Sequence, residues 1–193
     1  MRTKPPPRAK VAFLGSAGSG KTAMATMYAA KMNGTAGSFA RALKEEIATT
    51  FQVPLATLNG PQSKPNWRTL MQEWGSARRR TGGPDYWVNI LMFQVDRVDS
   101  IVAIDDVRYP NEYEALTKRG WTTVRCLGLH NDLTATQVTH SSEIALATTQ
   151  VDFELPWVEP PDLNFRFNLM MERLANPPDW QRPLRRALPQ GPL

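Results

Sequence analysis

The apolar run Val11-Ala12-Phe13-Leu14 leads directly into Gly15-Ser16-Ala17-Gly18-Ser19-Gly20-Lys21-Thr22, and residues 21 to 32 then contain neither Gly nor Pro and are rich in Ala and Met. This is strand, glycine loop and helix in the order that the pattern G-x-x-x-x-G-K-[ST] requires. Glycines let consecutive backbone N–H groups turn inward on a phosphate chain, and the following helix adds its positive N-terminal end. Lys21 would then reach the β- and γ-phosphates, and the Thr22 hydroxyl would hold Mg²⁺. The pattern arises by accident in on the order of 1% of chains of this length. The alternative is a glycine-rich turn before an ordinary helix, and the flanking strand and helix both count against it. The expected ligand is a nucleotide, bound through Gly15, Ser16, Ala17, Gly18, Ser19, Gly20, Lys21 and Thr22.

The 193 residues, 41% of them hydrophobic, suffice for one substantial core, and no second motif set calls for another domain. Pro5-Pro6-Pro7 forces an extended, basic arm over 1–9, and Pro177-Pro178, Pro183, Pro189 and Pro192 break 177–193 into a tail with little helical potential. A single domain is expected over 10–176. The single cysteine, Cys126, excludes an internal disulfide and a cysteine-based zinc site and reads as a small apolar strand residue. No apolar stretch follows the basic start to form a signal sequence, and no 18-residue apolar span occurs. A soluble, cytoplasmic protein without membrane contact is expected. The net charge of +5 suits polyanions in general, so it does not choose between nucleic acid and nucleotide phosphates.

Strand and helix patterns alternate along the core. A helix over 21–32 should stop at Asn33-Gly34, and Ser38-Phe39-Ala40 could end a short second strand. Helices are expected over 43–51, 66–80 and 86–98, with a Gly82-Gly83-Pro84 break before the last. Ile101-Val102-Ala103-Ile104 reads as a buried parallel strand, 111–119 as a helix closed by Gly120, and 121–127 as the next strand. A weaker strand over 151–155 and a helix over 164–175 complete the pattern. Such alternation predicts a three-layer α/β domain with a central parallel sheet.

The strand over 101–104 ends in Asp105-Asp106, and ligands of open α/β sheets sit at that edge. Mg²⁺ is normally held through one or two carboxylates plus phosphates and waters. Adjacent strand residues face opposite ways, so one of the two aspartates points into the site and the pair alone does not say which. A merely charged strand end is the other reading. Arg108 stands near the same edge, where a guanidinium could take a phosphate bidentately. Arg78, Arg79 and Arg80 could be a solvated helix face or a nucleic-acid patch. They spread over about 200° of helix, so at most one or two can face one phosphate, and one is read as functional with the rest as surface. No Lys or Arg lies between Cys126 and Phe165, so cationic groups must come from elsewhere. His130 and His140 in that interval read as structural more readily than catalytic.

Taken together, Ser38-Phe39-Ala40 with Leu43-Lys44-Glu45-Glu46, Leu70-Met71-Gln72-Glu73-Trp74-Gly75-Ser76 with Arg79 and Trp87-Val88, and Asp106-Val107-Arg108-Tyr109-Pro110-Asn111-Glu112 resemble the deoxynucleoside monophosphate kinases of bacteriophages. His140-Ser141-Ser142-Glu143 looks like that family's H-x-S-E segment. The resemblance covers about 11 to 155, and its D-V-R-[FY]-P-N-E string and L-x-Q-x-W-G segment are far more specific than the glycine loop. It implies an adenylate-kinase-like fold that transfers the γ-phosphoryl of ATP to the 5′-phosphate of a deoxynucleoside monophosphate. Lys21, Arg79, Arg108 and Asp106 would form the catalytic set, with Thr22 toward Mg²⁺ and Asp106 assisting Mg²⁺ or positioning the acceptor. Phe39, Lys44, Arg68, Gln72, Trp87, Arg108 and Glu112 would lie on the acceptor side. Trp87 could wall the base or belong to the core. Ser76 replaces the family's common threonine, and Pro156-Trp157-Val158-Glu159-Pro160-Pro161 replaces its usual ending.

The acceptor in such a transfer is a phosphate oxygen, already ionised near neutral pH because its second pKa is about 6, so no general base is required. Segments 52–66 and 128–150 are the expected closing parts. A kinase for another phosphorylated acceptor and a nucleic-acid-associated ATPase, the latter suggested by a pI near 9.6, are the competing readings. Nucleic acid is not the expected partner, a homodimer stays open, and a phage-encoded chain would work in the host cytoplasm.

Overall fold

The computed structural model describes residues 10–16, 18–60, 64–128, 146, 148–158 and 162–176. The arm over 1–9, the tail over 177–193, Ala17, both histidines and the His140–Glu143 segment lie outside the described residues. Five strands form one all-parallel sheet: β1 (Val11–Leu14), β2 (Thr35–Gly37), β3 (Ile101–Ile104), β4 (Thr122–Cys126) and β5 (Phe153–Leu155), in the order β2-β3-β1-β4-β5. Seven helices are present among the described residues: α1 (Lys21–Lys31), α2 (Phe39–Phe51), α3 (Leu55–Asn59), α4 (Lys64–Gly82), α5 (Tyr86–Val95), α6 (Pro110–Thr117) and α7 (Leu163–Ala175). None of them is long and apolar enough to cross a membrane.

The apolar runs become central strands because both sheet faces are covered. On β1, Val11 and Phe13 pack with Met24, Ala25 and Tyr28 of α1 and Met170 of α7, while Ala12 and Leu14 pack with Leu91 of α5 and Leu116 of α6 on the opposite face. The chain therefore leaves β1 toward one face, through α1, and leaves β3 toward the other, through α6. A crevice opens where neighbouring parallel strands send their connections to opposite sides, and here it lies beyond the carboxyl ends of β1 and β3.

Three expectations change. The second strand is Thr35–Gly37 and ends before Ser38, so Phe39 and Ala40 open α2, which begins four residues earlier than the period of 43–51 suggests. An acceptor on another element explains the shift: the first N–H groups of α2 donate to Asp106, which no local pattern reveals. Within the segment expected to close over the site, 55–59 folds as α3 with Leu58 fully buried. Most of the other such segment, 128–150, lies outside the described residues.

Candidate functional site

Gly15, Gly18 and Gly20 all have positive φ, at 135°, 77° and 87°. At Gly15 a Cβ would stand 2.3 Å from the Cys126 carbonyl oxygen, so the loop runs tightly against the end of β4. Gly20 in the left-handed conformation is the N-cap of α1, and no side chain caps that end. A helix N-terminus entered from a glycine loop is the arrangement that favours phosphate. Lys21 is 7% exposed, and its Nζ donates to the carbonyls of Gly15 (2.7 Å) and Ser16 (2.5 Å). Its ammonium therefore stands over the loop rather than in solvent.

At the end of β3 the two aspartates separate. Asp106 faces α2: Oδ1 accepts from the Phe39 N–H at 2.8 Å, and Oδ2 accepts from the Ala40 N–H at 2.7 Å and the Ser38 hydroxyl at 2.8 Å. Asp105 lies between α1 and α2, where the hydroxyls of Thr22 on α1 and of Ser38, the N-cap of α2, interact with its carboxylate, and its Oδ1 is buried without a hydrogen-bond partner. Burial first, and the neighbouring Asp106 charge second, raise the Asp105 carboxyl above its ordinary value, while both hydroxyls and its own backbone N–H oppose the rise. Asp106, expected toward Mg²⁺ or the acceptor, holds the start of α2. Its oxygens are engaged by three donors from the start of α2, whereas an orphaned carboxylate oxygen beside a threonine hydroxyl is the hard-oxygen set that suits Mg²⁺.

Beyond Asp106 lies a cluster built around Glu112. Glu112, 3% exposed at the start of α6, accepts through Oε2 from the backbone N–H groups of Arg108 (2.8 Å) and Tyr109 (3.1 Å). Its Oε1 is 3.8 Å from Nη2 of Arg79, whose guanidinium lies over the Tyr109 ring at 4.3 Å. Burial, with the Asp106 charge next, pushes the Glu112 carboxyl up to about 7, against its two backbone donors and Arg79. Glu112 thus organises the connection that carries Arg108, and its contacts are with the chain. Lys44 on α2 donates to Asn59 Oδ1 at the end of α3, 2.8 Å away.

Of the three consecutive arginines, Arg79 alone reaches this cluster. Arg78 pairs with Glu46, which also accepts from Trp74 Nε1 (3.0 Å) and the Tyr86 hydroxyl (3.1 Å), joining α2, α4 and α5. Arg78 is therefore structural rather than plain surface, and Arg80 is exposed. Trp87 is 2% exposed and donates from Nε1 to the Gly75 carbonyl at 3.2 Å, which places it in the core and locks α5 to α4. Phe39 is likewise buried, and Arg68 and Gln72 are exposed on α4. Cys126 is buried in β4, and burial pushes its thiol up to about 11, as an inert apolar residue requires.

Arg166 of α7 did not figure among the candidate residues. It is 1% exposed and lies behind the loop, donating to the carbonyls of Ser19 and Leu127 at 2.9 Å each. The available signal was its spacing: it sits four residues before Met170, on the buried stripe of α7, where a charge is out of pattern. No protein-family model matches this chain, and no curated protein matches it in sequence.

Proposed function

We propose that the chain is a deoxynucleoside monophosphate kinase of adenylate-kinase-like fold, moving the γ-phosphoryl group of ATP to a dNMP to give dNDP and ADP for DNA precursor synthesis. The observation that carries this reading is Asp105 set against Thr22 at the mouth of the glycine loop, with Glu112, beyond Asp106, facing Arg79 and accepting from the backbone N–H of Arg108. One sheet edge thus carries a glycine loop, a carboxylate with an unpartnered oxygen and, beyond Asp106, Arg79, a division that would suit two phosphorylated substrates. The parallel order β2-β3-β1-β4-β5 supports the fold assignment.

Phosphoryl transfer needs in-line placement and neutralisation of charge more than covalent help from the protein. The donor triphosphate would lie along the loop N–H groups and under the Lys21 ammonium. Thr22 and Asp105 would hold Mg²⁺, which supplies charge neutralisation on the donor phosphates when bound. Arg79 and Arg108 would bind the acceptor phosphate and offset charge on the transferring group. An acceptor phosphate oxygen forms a bond to the γ-phosphorus as the bond to the β–γ bridging oxygen breaks, and ADP leaves. Asp106 would act at one remove, by fixing the start of α2 and hence Lys44.

The test is ATP-dependent conversion of each common dNMP, with ribonucleotide controls, to diphosphates in the presence of Mg²⁺, resolved by chromatography. Diphosphate from one or more dNMPs is expected, and Lys21→Ala should remove most of it while leaving the fold intact. ATP loss without dNMP dependence, stimulated by nucleic acid, would instead establish the ATPase that the basic charge of the chain also allows.

A further inference from the structure

We infer that Arg166 is a positioning residue of the glycine loop, holding the loop in its phosphate-binding shape from behind and lending it a buried positive charge. The inference rests on the nucleotide-binding reading of the loop. It starts from an oddity of burial: a guanidinium at 1% exposure, with no acidic partner among the described residues. Taking such a charge out of water is costly, and a chain keeps one where something compensates it.

The compensation visible within the chain is partial. Nη1 donates to the Ser19 carbonyl and Nη2 to the Leu127 carbonyl, both at 2.9 Å, and the guanidinium carbon lies 5.6 Å from the centre of the Trp157 ring. Nε is buried without a partner. Two neutral carbonyls and an aromatic face leave a whole positive charge inside the fold, next to the loop. Lys21 meets Ser19 from the loop side, its Nζ 3.4 Å from Ser19 Oγ, while Arg166 holds the Ser19 carbonyl. A polyphosphate on the open side of the loop would be the missing counter-charge, acting across Ser19 and Gly20.

The geometry also supplies a mechanical role. Arg166 ties Ser19, the residue before the N-cap, to Leu127, the residue after β4. A Cβ at Gly20 would come within 3.1 Å of Nη1, so the guanidinium lies directly against the residue whose left-handed backbone starts α1. Holding the Ser19 carbonyl rearward keeps the Ser19–Gly20 and Gly20–Lys21 peptides oriented with their N–H groups toward the crevice. This is preorganisation of donors, which raises affinity for the anion without touching it.

Calorimetric titration of the full chain with ATP and, separately, with inorganic tripolyphosphate tests this, on wild type, Arg166→Met and Arg166→Lys, alongside the dNMP assay. Arg166→Met should bind both anions at least 10-fold more weakly at unchanged or higher thermal stability, with the KM for ATP raised and that for dNMP within 2-fold. Arg166→Lys keeps the charge but cannot span both carbonyls, and should lose about 3-fold. Wild-type affinity in Arg166→Met, or in Arg166→Lys should the former not fold, overturns the role while leaving the kinase reading intact. Equal loss for ATP and dNMP also overturns it, as the mark of a general structural effect. Failure of wild type to bind either anion overturns the role and the kinase reading together. Anion binding that depends on Arg166 without transfer to any dNMP upholds the role and removes the kinase reading alone.

Discussion

Asp106 accepts a hydrogen bond from the backbone N–H of Phe39 at 2.8 Å, a contact between residues 67 apart in sequence. That bond, with those from Ala40 and Ser38, makes the carboxylate at the end of β3 the cap of α2. Its neighbour Asp105 meets the Thr22 hydroxyl at the start of α1 as well as that of Ser38, and its Oδ1 has no partner. Two adjacent acids of the same type thus divide into one whose oxygens hold a helix and one that keeps a buried oxygen without a partner.

The two asparagine variants should separate these roles. Asp105→Asn is expected to lower Mg²⁺-dependent turnover by about 100-fold or more. Its unfolding midpoint should hold or rise, since a neutral amide removes a buried charge beside Asp106. Asp106→Asn retains one acceptor for three donors, and should cost about 1.5–3 kcal/mol of stability by urea unfolding. The reverse pattern, with Asp106→Asn silent in stability and Asp105→Asn silent in turnover, would exchange the assignments.

Glu112 gives the fold a pH dependence of predictable sign. Its carboxyl rises from the ordinary 4.5 to about 7 in the folded chain. The folded state therefore holds this proton more tightly than the unfolded state does. Stability from this group is complete below pH 4.5, falls as pH rises from 4.5 to 7, and is level above, a loss on the order of 3 kcal/mol. Urea unfolding across that window should show a shallower fall in Glu112→Gln than in wild type; parallel curves would mean that the carboxylate is ionised throughout.

Arg79 and Arg108 should act on the acceptor. Arg79→Ala removes the cation stacked on Tyr109 and facing Glu112, and should lower kcat/KM for dNMP by about 100-fold. Arg108→Ala should likewise damage the acceptor side or the transition state more than ATP binding. Titration of ATP against each variant decides the matter: affinity that collapses for ATP and holds for dNMP would move these residues to the donor.

Trp87 should prove indifferent to the base. Trp87→Phe removes the bond to Gly75 and some core volume, at about 1–2 kcal/mol in denaturant unfolding. Relative kcat/KM across the four dNMPs should stay within about 2-fold, because a ring at 2% exposure has no free face to offer. A larger change in base preference would restore the ring to the acceptor wall.

Local order in the sequence carried much of this. The β1–loop–α1 unit, the apolar run of β3 and the period of α7 are patterns within a few residues, so steric demands on glycine and one-sided burial made them legible. The all-parallel sheet followed from strands alternating with helices. The start of α2 escapes local pattern because its cap lies just beyond β3, and α3 within the expected closing segment 52–66 does so because Leu58 alone marks its buried side. The candidate site divides in the same way. Residues 15–22, apart from the undescribed Ala17, form the glycine loop and first turn that their spacing suggested, while Trp87 and Phe39 went to the core and Glu112 to the backbone of its own connection.

What the sequence alone determined is the set of parts whose geometry follows from neighbours along the chain: a glycine loop between strand and helix, acids at a strand end, and an arginine two residues on. What only the tertiary structure decided is which of those parts face one another. The direction of a carboxylate at a strand end, and the burial of Arg166 behind Ser19 from 147 residues away, depend on how the helices pack across both faces of the sheet. No local periodicity encodes that packing, because it is fixed by the combined fit of side chains from distant segments.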